Sequence, residues 1–232
     1  MKRYEIFESI LCKLTRRDIH QFVREAANIF PDYFFEIPSS ITEKNHPLWA
    51  LGPGGLVRHT IAVADYVLEL KSTFELEPYQ VDECVAAALL HDSLKYGFEF
   101  SMKHYNAYQI IHPVLVRGYF ENLRSRLMLD QQVYKRIMHL VERHMGSYRS
   151  GKWSSTGLKP ETVGDAALHL ADYVVSRNTF IYEPFKDFHC DAENQPDVPW
   201  LETKDMWWRD KIERNKYYNN LKQGEKVDGE HK

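Results

Sequence analysis

Cysteine is scarce in this chain of 232 residues: Cys12, Cys84 and Cys190 stand far apart and form no CxxC pair. An odd, scattered set excludes a disulfide framework, argues against a structural thiolate zinc site and fits a reducing compartment. Long apolar runs are also lacking. The longest, Cys84–Leu90, is far short of the roughly 20 residues a membrane span needs. Neither sign of charge dominates, because 30 Lys and Arg oppose 33 Asp and Glu for a net −3. A globally basic nucleic-acid binder is thereby excluded, while a local basic rim stays open. The N-terminal stretch MKRYEIFESIL places Glu5 and Glu8 where a signal peptide would be apolar, so a cytoplasmic protein is expected. What is plentiful is histidine, with 11 residues.

Apolar residues recur at helical spacing through most of the chain and strand-like alternation is rare, so the expected fold is all-α. Residues 4–30 read as one or two amphipathic helices, with Thr15 and Asp18 resembling a capping box. Pro31–Gly55, rich in Pro, Gly and turn residues, reads as a loop that delivers the chain to a helix starting near Leu56 and ending near Pro78. A second helix, from near Val81 to His91-Asp92, is apolar all round and should be central. A third covers about 104–123, and Pro113 should kink or restart it. A fourth follows Asp130, an expected N-cap, to about His144. A fifth, about 162–178, is again apolar on nearly all sides. An aromatic and acidic extension with a helix near 203–222 follows, and residues 223–232 lack any apolar pattern and are expected to be disordered. The expected division is 1–50 for N-terminal helices and loop, 51–180 for the core, 181–222 for the extension and 223–232 for the tail.

Two helices expected to be buried carry groups that a core does not tolerate without partners. His91 and Asp92 end one, and Asp172 interrupts the other. A buried unpaired carboxylate costs several kcal/mol, so a cation or a proton should neutralise each. A metal ion would serve, and the C-terminus of a helix favours a cation. His59 lies in the first turn of its helix, and His112 sits among Ile110, Ile111, Val114 and Leu115. In the fourth helix, the row Val133, Ile137, Leu140, Val141 continues to His144, whereas His139 aligns with Arg136 and Arg143 on the polar side. Imidazole and carboxylate ligands without thiolate suit manganese, iron, nickel, magnesium or zinc.

The ordered set His59, His91-Asp92, His112, His144 and Asp172, over roughly Leu51 to Asn178, resembles the HD-domain metal-dependent phosphohydrolases. GGLVRHT, ALLHDSLK, IIHP, VERHMG and LHLADYV look closest to the HD-domain 3′ to 5′ exoribonucleases. The resemblance implies a helical bundle holding two divalent ions per chain. His59, His91, Asp92 and Asp172 would ligate one, and Asp92 would bridge to a second held by His112 and His144. It also implies Asp92 and Lys95 as catalytic groups. Lys95 would contact substrate phosphate, as the lysine of the similar HDxGK segment does, although Leu94 replaces the usual glycine. Arg58, Lys103, Arg143, Arg149 and Lys152 are candidate rim cations. The GYP segment of cyclic-dinucleotide phosphodiesterases and the glutamate-aspartate pair of alarmone hydrolases are missing. No OB-type domain precedes the core, so long RNA is not the expected substrate.

The implied activity is hydrolysis of a phosphoester in a nucleotide or short single-stranded nucleic acid by two metals that activate water. Alternatives are a mononuclear nucleotidase or nucleoside triphosphate phosphohydrolase, and a non-catalytic nucleotide-binding domain. No membrane partner is expected, and a homodimer is an admissible assembly. His104 competes with His112 as a ligand. His169, one turn before Asp172, is expected to support the ligands from behind. His20, His46, His189 and His231 have no supporting context, and Trp153 is a candidate base-stacking residue.

Overall fold

The computed structural model of the protein describes residues 3–40, 46–98, 105–146 and 158–186. The expected helix at 203–222, the tail, Lys103, His104, Arg149, Lys152 and Trp153 lie outside these residues. Among the described residues there are seven α-helices and no strand: α1 (Glu8–Leu11), α2 (Arg17–Asn28), α3 (Gly55–Leu70), α4 (Pro78–Leu90), α5 (Tyr105–Arg126), α6 (Gln131–Arg143) and α7 (Val163–Val175). No helix among them is long and apolar enough to cross a membrane.

α4 is the central element, as its continuous apolar run requires. It packs against α2, α3, α6 and α7, and α3 in turn packs on α7. Every residue from Cys84 to Leu90 is buried. α4 starts earlier than the sequence predicts. Pro78 occupies its first turn, where the missing amide costs nothing, and Glu77 and Gln80 form a capping box. α2 buries Ile19, Phe22, Val23, Ala26 and Ala27, the one-sided spacing of an amphipathic helix. Its start differs from the expected Thr15–Asp18 box. The Thr15 hydroxyl and the Thr15 and Arg16 amides donate to the buried Asp82 carboxylate on α4. A tertiary carboxylate thus anchors the two residues that lead into the helix, in place of a local capping box.

α6 and α7 begin as their sequences predict. Asp130 accepts from the Gln132 and Val133 amides, and Thr162 and Asp165 cap each other reciprocally. α5 is one helix through Pro113, not two. α7 is less enclosed than its composition suggests, because Val163, Leu170 and Tyr173 are exposed.

The loop before α3 is set by close backbone approach. Gly54 takes a left-handed conformation at φ 68°, and a Cβ on Gly55 would lie 2.1 Å from the Ala50 carbonyl oxygen, so only glycine fits. The Arg58 guanidinium locks the same loop from inside, donating to the carbonyls of Trp49, Leu51 and Pro53. Arg58 is fully buried, which corrects its expected place among the rim cations. A side chain spent on three backbone carbonyls is structural. Trp49 then packs on Phe180, Tyr182 and Phe185, which closes the far end of the described chain over the loop.

Candidate metal centre

Five helices bring six side chains to a single point. His59 comes from α3, His112 from α5, His144 from the end of α6, Asp172 from α7, and His91-Asp92 from the end of α4. The two residues that terminate helices share one device. His91 Nδ1 donates to the Ala88 carbonyl at 2.6 Å and His144 Nδ1 to the Val141 carbonyl at 2.7 Å. A carbonyl only accepts, so each Nδ1 carries the proton and each Nε2 is turned inward.

Asp92 is the hub. Its Oδ1 lies 3.1 Å from His112 Nε2 and 3.8 Å from His144 Nε2. Its Oδ2 lies 3.5 Å from His91 Nε2, 3.9 Å from His59 Nε2 and 2.6 Å from Lys95 Nζ. On the other side, Asp172 Oδ1 is 3.1 Å from His59 Nε2 and 3.9 Å from His91 Nε2. The Nε2 atoms of His112 and His144 are 3.4 Å apart. Two groups, His59 with His91 and Asp172, and His91 with Asp92 and His144, each place their ligand atoms within 4.8 Å of one another, as a metal ion requires.

The donors fit a divalent cation. Nδ1 of His59 and Nε2 of His91 are buried without a hydrogen-bond partner, a state that costs about 1 to 3 kcal/mol for each group until a donor, an acceptor or an ion satisfies it. Burial alone would raise the Asp92 carboxyl, but Lys95 and His91 hold it well below the usual carboxylate range. His59 does the same for Asp172. Burial pushes His59 down, and pushes His144 down to about 3, with His91 adding to the effect on His144. His91 moves the other way: burial is the largest influence and lowers it, but the Asp92 and Asp172 carboxylates and the Ala88 carbonyl together raise it by more. Charged carboxylates beside the neutral imidazoles of His59 and His144 are the protonation states that ligate a metal.

The surroundings hold these groups in place. His169 Nδ1 donates to the His144 carbonyl at 2.8 Å, and its ring covers Gly146, where a Cβ would meet it at 2.6 Å. The turn after Asp92 accommodates Leu94 by burying it completely, and Tyr33 anchors that turn by donating to the Gly97 carbonyl and accepting from the Tyr96 amide. His139 is set apart from the ligand cluster, with Nε2 3.0 Å from Asp165 Oδ2. Of the remaining rim candidates, Arg143 is paired with Glu161 at 2.8 Å.

One residue at the centre carried no signal in the sequence. The His46 ring packs edge-on against that of His59, with centroids 5.7 Å apart, and its Nδ1 is buried without a partner. Burial first, then His59, lowers its pKa to about 3. Its loop has no periodicity to read. The only available hint was its position a short way before GGLVRHT.

A family model described as HD domain matches residues 56–176, more than half of the chain. No curated protein and no solved structure matches it.

Proposed function

Since the chain belongs to the HD-domain family, we propose that it is a metal-dependent phosphohydrolase, cleaving a phosphoester bond in a nucleotide or short single-stranded nucleic acid at a dinuclear centre. The observation that carries the reading is the division of Asp92. Its Oδ1 faces the His112 and His144 pair, and its Oδ2 faces His59 and His91. A carboxylate so placed suits a bridge between two cations. His59, His91, Asp92 and Asp172 would hold one, and Asp92, His112 and His144 the other. Divalent ions such as manganese, iron, nickel, magnesium or zinc supply Lewis acidity toward a phosphoryl oxygen and make water a better nucleophile at neutral pH.

The chain's own groups do the rest. The Ala88 and Val141 carbonyls fix the His91 and His144 tautomers, so that no ring must reorient during reaction. Lys95, three residues beyond Asp92 and in contact with its carboxylate, offers an ammonium for a substrate phosphate. A mononuclear nucleotidase or nucleoside triphosphate phosphohydrolase is the second reading. It is favoured by the 3.4 Å gap between His112 and His144 Nε2, a distance at which the two rings can share a proton instead of an ion.

Elemental analysis of protein purified without chelator tests the reading, together with hydrolysis of bis-p-nitrophenyl phosphate and a panel of nucleotides and short oligonucleotides. Two ions per chain, falling to one in His144→Ala, and loss of both metal and hydrolysis in Asp92→Ala are the expected results. One ion that survives His144→Ala selects the mononuclear reading. Hydrolysis that survives Asp92→Ala overturns the site. Nucleotide binding without turnover under all five metals selects a binding domain.

A further inference from the structure

The ligand histidines are not supported alike. His91 and His144 each fasten Nδ1 to the carbonyl three residues earlier, which directs a lone pair on Nε2 toward the carboxylates. His59 Nε2 points at the same carboxylates, 3.1 Å from Asp172 and 3.9 Å from Asp92, but its Nδ1 is buried and bonded to nothing among the described residues. To present a lone pair on Nε2, neutral His59 must carry its proton on Nδ1, and a buried N–H needs an acceptor. The ring that packs on His59 is His46, whose Nδ1 is likewise buried and unpartnered. Two orphaned nitrogens in one ring contact are complementary if one donates and the other accepts.

We infer that His46 is the positioning residue of His59, accepting its Nδ1 proton at His46 Nδ1 through a single water or after a rotation of the ring. This rests on the metal reading given above. The edge-on packing, with centroids 5.7 Å apart, brings the two rings that carry the unpartnered nitrogens into one buried contact. The assignment also fixes His46 itself. Its Nδ1 supplies a lone pair, so its own proton sits on Nε2. The loop carrying His46 is held by the Arg58 carbonyl clamp, which links an otherwise irregular segment to the orientation of a ligand on α3.

The test uses manganese(II) alone, titrated by calorimetry into the metal-free full chain. His46→Asn places a polar atom near the former Nδ1. His46→Gln places one near the former Nε2, and His46→Phe keeps the ring contact without any acceptor. Groups that orient a ligand from behind contribute about 10- to 100-fold in metal affinity. The expected result is a loss of that size in His46→Phe and His46→Gln, with His46→Asn remaining within several-fold of wild type. Metal-free thermal unfolding of the three variants should stay close to wild type, since the packing is largely kept. Wild-type affinity in His46→Phe overturns the inference, as does an equal loss in His46→Asn and His46→Phe, which would make the ring a packing element only. Failure of the wild type to bind manganese overturns the metal reading and this inference together. Manganese bound by the wild type and equally by His46→Phe overturns the inference alone.

Discussion

Lys95 Nζ lies 2.6 Å from Asp92 Oδ2, the same oxygen that faces His91 and His59. A cation belonging to the chain therefore stands at an oxygen that an external cation needs. The Lys95 side chain is only 13% exposed, so its attraction to Asp92 is weakly screened by solvent. The two cations should compete. Replacing Lys95 by Met removes a charged hydrogen bond and is expected to cost the metal-free protein about 2 kcal/mol, measured by denaturant unfolding with chelator present. The same change should tighten manganese binding, because nothing has to be displaced from Asp92 Oδ2, and should enlarge the stabilisation gained on adding metal. Hydrolysis should fall if the displaced ammonium is the group that meets phosphate. Unchanged manganese affinity in Lys95→Met would rule out the competition.

Arg58 precedes His59, and its guanidinium holds the carbonyls of Trp49, Leu51 and Pro53. Arg58→Met should leave three acceptors without their donor in a buried loop. The expected loss is about 3 to 5 kcal/mol, since each buried carbonyl left without a donor costs about 1 to 3 kcal/mol. Its signature is a lowered unfolding midpoint that added manganese partly restores. A substrate-binding arginine would behave differently, raising KM at unchanged stability, and a stable Arg58→Met protein with raised KM would return Arg58 to the rim.

The contrast between Arg58 and His144 explains what could be read in advance. Helical phase separates His144 from His139 because both lie on one regular element, where side-chain direction follows from sequence spacing. The structure buries His144 beside Asp92 and sets His139 against Asp165. The apolar run of α4 likewise announces a central helix, and a carboxylate inside such a run announces a partner. No comparable rule reaches the loop before α3. Arg58 is charged and lies in a helix's first turn, so spacing alone sends it to the surface. Its burial depends on three loop carbonyls that converge only after the Gly54 and Gly55 backbone has turned. His46 is placed by the same loop closure. Asp82 takes the Thr15 hydroxyl that the expected Thr15–Asp18 box would have used, through a contact spanning 67 residues, which no local pattern encodes.

Glu36, just after the 3-10 turn Asp32–Phe35, gives a pH dependence outside the metal centre. One of its carboxylate oxygens is buried without a partner, and burial, reinforced by Asp32, raises its pKa from 4.5 to about 7. The proton is thus bound more tightly in the folded chain than in the unfolded one. Below pH 4.5 both states hold it and folding is not opposed. Between pH 4.5 and about 7 the unfolded state ionises first, so stability declines as pH rises and levels off above 7. Glu36→Gln keeps the shape and removes the ionisation. Since the carboxyl is only half-buried, the effect is discounted for solvent screening to about 1 kcal/mol. Wild type and Glu36→Gln should therefore be close in stability at pH 5, with the variant ahead by that amount at pH 8, measured by urea unfolding with chelator present. A gap between the two proteins that does not change from pH 5 to pH 8 would show that Glu36 ionises alike in both states.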